Sequence, residues 1–303
     1  MAPRALIQRY GNVLDALTRR RQSEAMRDET WLGPAIDIRP LLPELHNALL
    51  VLLRGLRAED WGRPTACPGW TVHDVAAHVL ADHVGRLSIH RDQFQPLAPD
   101  AGEAFPAFIH RINDEWVVAA RRISPPLLID LLSSTGTQMI QHWNDTDMTT
   151  LGWPVSWAGP EPAPVWLDAA RDFTEYWTHH QQLAEALDRQ GLTVADFLGP
   201  VLDTFMRALP HTLREVEARA GAAVEFVVPG PAGGTWICAR TDRGWALGTR
   251  TGSQPAATVE LDADTTWRLC TRGITPEQAR ARATFHGDEK LAGAALGIVS
   301  IIH

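Results

Sequence analysis

The hydrophobic pattern of this 303-residue chain changes from helical to strand-like, and this change restricts the fold more than any other feature. Between residues 36 and 191, apolar side chains recur at three- and four-residue steps, as in amphipathic helices. The clearest series is made of six leucines: Leu41, Leu45, Leu49, Leu52, Leu53 and Leu56. After a further helix at about 195–220, short apolar runs bounded by Gly and Pro indicate strands: "AAVEFVVPG", "GGTWICART", "GWALGTR" and "PAATVELDA". The sequence therefore predicts an α+β protein that begins with a helical bundle.

Length and breaks in the pattern predict three segments. Residues 1–35 form an N-terminal extension, a short basic amphipathic helix that ends before the Gly33–Pro34 break. Residues 36–193 carry four or five helices with long connections, which is typical of a bundle. Residues 194–303 form a smaller α+β domain, of the usual size of about 100 residues.

Composition argues against several partners and locations. The net charge of −8 disfavours nucleic acid and anionic membrane surfaces. The cysteines Cys67, Cys238 and Cys270 are far apart and odd in number, so they predict no disulfide framework and fit a reducing cytoplasm. The start of the chain lacks the apolar run of a secretory signal, and the longest apolar runs are too short to span a bilayer. We therefore expect a cytoplasmic protein that binds neither nucleic acid nor membranes.

The stretch "PTACPGWTVHDVAAHVLADH" places several metal-ligating residue types on one predicted helix. Thr71 is its predicted N-cap, and Asp74, three residues later, is a near match to a capping box. Residues four apart share a helix face, so His78 aligns with Asp74 and Asp82, while His73 and His83 point elsewhere. His78 is a candidate ligand on this pattern, and an ordinary solvated or core histidine is the alternative.

A second candidate pair lies in "DFTEYWTHHQQL". Glu175 and His179 are four residues apart, flanked by Arg171 and Gln182, and two ligands at this spacing can hold one ion. The opposite side of the helix is apolar, with Trp166, Phe173, Trp177, Ala184 and Leu187. The polar face of any surface helix has the same pattern. Because periodicity does not reveal whether two helices face each other, the residues alone leave both interpretations open.

Four longer stretches resemble parts of a known family. The segment "LLRGLRAEDWGRPTACPGWTVHDVAAHVL" resembles the start of the mycothiol-dependent maleylpyruvate isomerase family, whose members share a DinB-like bundle, a Cys-Pro-Gly-Trp and a helical Asp-x-x-x-His. "RDFTEYWTHHQQLAEALDRQG" resembles its second motif, Glu-x-x-x-His followed by polar residues. "ATVELDADTTWRLCTRG" and "FHGDEKLAGAALGIV" are similar to the sterol-carrier-like domain that often follows. The resemblance covers residues 36–303 and implies a DinB-like four-helix bundle followed by a sterol-carrier-like domain.

The resemblance implies a metal site and a thiol cosubstrate. His78, Glu175 and His179 would bind a divalent metal, most often zinc, which holds the thiol of mycothiol as a thiolate. Arg272, in "LCTRG", would hold a substrate carboxylate, and a surface cation at a helix end is the alternative. For Cys67, near a helix N-terminus, we predict a structural role rather than a nucleophilic one. The N-terminal extension, the second histidine His180 and a Trp- and Pro-rich loop at 149–164 depart from the family, which puts maleylpyruvate itself in doubt as the substrate.

These implications favour a metal-dependent, mycothiol-using S-transferase or isomerase that acts on a small electrophile. The thiolate would add to an electrophilic carbon, after which loss of the thiol gives isomerisation and its retention gives an S-conjugate. Two alternatives remain open: a metal-dependent hydrolase that uses water, and a non-catalytic ligand-binding or regulatory protein. Residues 1–35 are candidates for contact with a second subunit in a homodimer.

Overall fold

The computed structural model describes residues 31–248 and 254–301. The basic helix predicted for the N-terminal extension lies outside the described residues. The described part consists of a helical region followed by a region with a sheet, which confirms the predicted α+β fold class. Within residues 31–248 and 254–301, no helix combines the length and the apolar character needed to cross a membrane.

Four helices of the first region form a bundle. The helices of this region are α1 (Leu42–Arg54), α2 (Val72–Arg86), α3 (Phe105–Ala120), α4 (Pro125–Asp145) and α5 (Val165–Ala186). Helices α1 and α2 each pack against α4 and α5, so α1 and α2 occupy opposite corners of the bundle. Helix α3 lies outside this arrangement, against α2. The bundle therefore places α2 and α5, the two helices with the candidate ligands, next to each other.

The start of α2 is fixed by a complete capping box. The Thr71 side chain accepts a hydrogen bond from the Asp74 backbone N–H, and the Asp74 carboxylate accepts one from the Thr71 backbone N–H. Arg121, directly after α3, donates to Asp74 Oδ1 at 2.9 Å. The predicted N-cap is confirmed, and Asp74 performs the role that Glu or Gln has in the usual motif.

The second region contains short helices and a five-stranded sheet. Its helices are α6 (Ala195–Met206), α7 (Leu209–Thr212), α8 (Ala263–Cys270), α9 (Pro276–Arg280) and α10 (Glu289–Ala295). Its strands are β1 (Ala223–Val228), β2 (Gly234–Thr241), β3 (Gly244–Gly248), β4 (Ala257–Glu260) and β5 (Thr284–Gly287), in the order β3-β2-β1-β4-β5. Strands β1 and β4 are parallel, and the other neighbours are antiparallel. The predicted strands are confirmed, while the helix predicted at about 195–220 ends earlier, as α6 and α7.

Helix α5 connects the two regions. Its predicted apolar side is buried, and Phe173 stacks against Phe197 of α6 with ring centroids 6.3 Å apart. Trp177 packs edge-on against Trp267 of α8 at 5.4 Å. One hydrophobic core thus extends from α5 to the sheet. The predicted domain boundary at 193/194 lies in the connection between α5 and α6, so this core contains residues from both sides of it. Because α5 buries its apolar side there, its polar side faces the bundle.

Candidate metal centre

Helices α2 and α5 bring four potential metal ligands together. His78, Asp82, Glu175 and His179 each offer one ligand atom, and these atoms lie within 4.8 Å of one another. We call this group the four-ligand cluster. His78 Nε2 lies 3.6 Å from Asp82 Oδ2, and His179 Nε2 lies 3.4 Å from Glu175 Oε1. The two imidazole rings meet almost perpendicularly, at 85°, with centroids 4.8 Å apart.

Each helix supplies one imidazole and one carboxylate, four residues apart. This spacing places both groups of a pair on the same helix face. The structure thus unites the three residues predicted as ligands and adds Asp82. The sequence aligns Asp82 with His78 but gave no reason to count it among the ligands, because its distance from Glu175 depends on how the helices pack.

The cluster contains buried polar atoms without partners. Both histidines are only 5% exposed. Among the described residues, His179 Nε2 and Asp82 Oδ2 have no hydrogen-bond partner. An unsatisfied buried polar atom costs about 1–3 kcal/mol. A divalent cation would be bound by His179 Nε2 and would stabilise the charge of the nearby Asp82 carboxylate, so the donor set fits such an ion.

The neighbouring charges leave the cluster with excess negative charge. Arg86 donates to Asp168 Oδ2 and to Asp172 Oδ1, both at 2.6 Å. Arg171 lies 2.8 Å from Asp168 Oδ1. These two arginines are therefore paired with two aspartates, although the charge of Arg171 still acts on Asp82 and Glu175. With both carboxylates ionised and both imidazoles neutral, the cluster carries two negative charges, which a divalent cation would balance.

The pKa shifts of His78, Asp82 and His179 reflect the burial of these groups and the charges close to them. Burial, together with the charge of His179, lowers the pKa of His78 to about 3. Burial, together with Glu175, raises the pKa of Asp82 to about 8. Burial also lowers the pKa of His179, but contacts with Cys67 and Glu175 outweigh it and raise that pKa well above its ordinary value. In the absence of a metal these shifts favour a proton on Asp82 and on His179, and a bound cation would displace these protons.

Two further side chains contact the histidines of the cluster. The Trp70 ring lies against His78, with centroids 5.0 Å apart. His179 Nδ1 lies 2.8 Å from Gln182 Oε1, which also accepts a hydrogen bond from Cys67 Sγ at 3.2 Å. The Cys-Pro-Gly-Trp loop thus contacts the cluster directly through Trp70 and, by way of Gln182, through Cys67.

Other histidines lie outside the cluster. His73 Nε2 is 2.9 Å from the Ile123 carbonyl oxygen, and His83 Nδ1 is 2.9 Å from Thr135 Oγ1. The prediction that both point elsewhere is confirmed. His180 is buried but is not part of the cluster.

Among the described residues, no hydrogen bond or ion pair joins the Arg272 side chain to the cluster. Arg272 is exposed, follows α8 and has a left-handed backbone conformation with φ 58°. No ion pair joins its side chain to any residue within 31–248 or 254–301. The arginine whose charge acts on Asp82 and Glu175 is Arg171, which precedes Glu175 by one helical turn. The role of Arg272 in substrate binding stays a prediction.

Fold and site together define a class of protein: an α+β protein whose four-helix bundle carries a His- and carboxylate-containing cluster suited to a divalent cation. Residues 42–184 match the model of the mycothiol maleylpyruvate isomerase N-terminal domain. The matched segment lies in the helical region and includes the whole four-ligand cluster. The resemblance seen in the sequence is confirmed for this region.

The solved structures that match this chain have low sequence identity and TM-scores below 0.5. A crystal structure of the mycothiol-dependent maleylpyruvate isomerase is 14% identical, with a TM-score of 0.47, and the match covers 76% of this chain and 86% of that chain. A mutant of that enzyme is 13% identical, with the same TM-score of 0.47 and the same coverage of 76% and 86%. The sterol carrier protein domain 2 of Helicoverpa armigera is 18% identical, with a TM-score of 0.22, over 36% of this chain and 89% of that one. No curated protein matches the chain.

Proposed function

We propose that this protein is a metal-dependent enzyme that uses mycothiol in an isomerase or S-transferase reaction on a small electrophile. The observation that carries the proposal is the convergence of His78, Asp82, Glu175 and His179, with unpartnered buried atoms, inside the segment that matches the isomerase family. A cytoplasmic location accords with this use of a small thiol.

His78, Glu175 and His179 would hold the ion. Two imidazoles and one carboxylate form a typical ligand set of catalytic zinc, which keeps one coordination position open. A bound divalent cation lowers the pKa of a thiol and so supplies thiolate at neutral pH. Trp70, packed on His78, would help to exclude water from that side of the site.

Asp82 would have a different role from the three ligands. Its Oδ2 atom has no hydrogen-bond partner among the described residues, and its side chain is 28% exposed. A carboxylate oxygen that has no hydrogen-bond partner and lies beside the ligands can accept the proton that the thiol loses. We therefore assign proton transfer to Asp82 Oδ2.

The substrate would be a small molecule with an electrophilic carbon. The thiolate forms a C–S bond to this carbon, and the displaced π electrons move into the conjugated acceptor group. Rotation and loss of the thiol complete an isomerisation, whereas retention of the C–S bond gives an S-conjugate. Arg272 stays our candidate for binding a substrate carboxylate.

Metal analysis combined with calorimetric titration of mycothiol tests the proposal. We expect one divalent ion per chain, mycothiol binding to the metal-loaded protein only, and thiol-dependent turnover that stringent chelation abolishes. Full activity after chelation would rule out a catalytic metal. Turnover without mycothiol would favour a hydrolase, and substoichiometric metal without turnover would favour a ligand-binding or regulatory protein.

A further inference from the structure

The imidazole of His179 is held on the side that faces away from the four-ligand cluster. Its Nδ1 atom lies 2.8 Å from Gln182 Oε1. Because an amide oxygen only accepts hydrogen bonds, Nδ1 must carry the hydrogen of this contact. The other nitrogen, Nε2, lies 3.4 Å from Glu175 Oε1 and is the atom directed at the cluster.

The Gln182 amide is itself held in one orientation. A glutamine amide can rotate by half a turn, which would present its NH₂ group to His179 and favour the opposite tautomer. Cys67 Sγ donates to the same Oε1 atom at 3.2 Å. With Oε1 at this position the amide accepts from both the imidazole and the thiol, whereas an NH₂ group there would have the sulfur only as a weak acceptor. The loop before α2 therefore stabilises the orientation of a side chain on α5.

We propose that Gln182 is a positioning residue that fixes the Nδ1–H tautomer of His179 and so leaves Nε2 free to bind a divalent metal, with Cys67 holding the Gln182 amide. This inference rests on the metal site of the proposed function and adds two residues to it. Metal-binding histidines usually donate their second N–H to such an acceptor, which fixes both the ring and the tautomer. A neutral amide fills this role here without adding a third negative charge beside Asp82 and Glu175.

The chain offers a matched control in the adjacent Gln181. This glutamine lies on the same helix and is 3% exposed, but its amide oxygen is directed at Gly191, where an added Cβ would fall 1.7 Å from it. The Gln181 amide therefore faces the segment that follows α5 and not the four-ligand cluster. Gln181→Leu removes a buried amide from α5 without touching His179.

The test compares Zn²⁺ affinity and the His179 N–H signal in four full-length proteins: wild type, Q182L, Q182E and Q181L. Affinity is measured by competition with a chromophoric chelator, and the imidazole N–H by proton NMR of the zinc-loaded protein. We expect Q182L to bind Zn²⁺ about 10–100-fold more weakly and to lose a slowly exchanging imidazole N–H. Q182E, which keeps an acceptor, should retain the wild-type affinity within a few-fold, and Q181L should match wild type.

The outcomes separate this inference from the proposed function. If wild type binds no Zn²⁺, the metal site itself is wrong. If wild type binds and Q182L binds equally well, only the role of Gln182 is overturned. Equal weakening in Q182L and Q182E, or in Q182L and Q181L, would also overturn it, because loss of packing and not loss of an acceptor would then explain the effect.

Discussion

Two buried polar groups lie side by side between α2 and α5, and they differ in one respect. The ion-pair cluster of Arg86, Arg171, Asp168 and Asp172 contains two cations and two anions, and among its carboxylate oxygens only Asp172 Oδ2 lacks a hydrogen-bond partner within the described residues. The four-ligand cluster uses the same helices and the same four-residue spacing, yet it contains two carboxylates and no arginine. The charges of the ion-pair cluster cancel one another, whereas the ionised carboxylates of the four-ligand cluster need a cation to balance them. Charge balance, more than spacing or burial, therefore distinguishes a structural polar cluster from a candidate metal site.

The largest expected effect is on metal binding. Replacing His78 or His179 by Ala should abolish stoichiometric zinc and mycothiol-dependent turnover, because two protein ligands do not hold the ion in its catalytic geometry. Metal analysis and a turnover assay measure both. His73→Ala, whose ring bonds to the Ile123 carbonyl outside the cluster, should keep its metal. Full zinc content in H179A would show that the four-ligand cluster is not the metal site and would contradict the contrast drawn with the ion-pair cluster.

Breaking the ion-pair cluster should affect stability instead. Arg86→Met leaves Asp168 and Asp172 buried with Arg171 as their remaining guanidinium, and we expect a loss of about 3–5 kcal/mol in the free energy of unfolding. Denaturant unfolding measures this loss. The control is Arg91→Met, which breaks a solvent-screened, exposed pair with Asp92 and should leave the free energy of unfolding almost unchanged. Equal losses in the two variants would show that the ion-pair cluster is not structural.

The third prediction concerns the role of Asp82 within the four-ligand cluster. Asp82→Asn keeps the shape of the side chain but removes its capacity to accept a proton. We expect zinc content to stay at the wild-type level and turnover to fall by at least about 10²-fold. Steady-state kinetics and metal analysis on the same preparation measure the two quantities. Loss of zinc from D82N would instead identify Asp82 as a ligand.

The smallest expected effect concerns the ion pair between Asp74, at the start of α2, and Arg121. Burial opposes ionisation of Asp74, but hydrogen bonds from Arg121 and Thr71 outweigh it and lower its pKa below the ordinary value of 3.8. A carboxyl whose pKa is lower in the folded state stabilises the protein above pH 3.8, and this stabilisation is lost as the pH falls through the folded-state pKa.

Asp74→Asn should therefore cost about 1 kcal/mol at pH 7 and less at pH 3. Denaturant unfolding at both pH values measures the difference between variant and wild type. A cost that is equal at the two pH values would show that the charge of Asp74 contributes nothing, while unchanged zinc content in D74N would support its assignment to structure alone.

Much of the local structure was predictable. Thr71 is the N-cap of α2, His73 and His83 point away from His78, and the apolar side of α5 is buried. Each of these follows from helix geometry over one or two turns. Arg272 shows the limit of such inference, since its resemblance to a family motif did not reveal that it is exposed or that the charge of Arg171 acts on Asp82.

The sequence by itself determined which side chains share a helix face, because a hydrogen-bonded helix places residues three and four apart together whatever surrounds it. It also determined, through the change from helical to strand-like periodicity, that a bundle precedes a sheet. Only the tertiary structure decided that the face of His78 meets the face of Glu175 and His179, and that Asp82 and Gln182 join them. These contacts depend on burying the apolar sides of helices that are far apart in the chain, and local spacing contains no information about that packing.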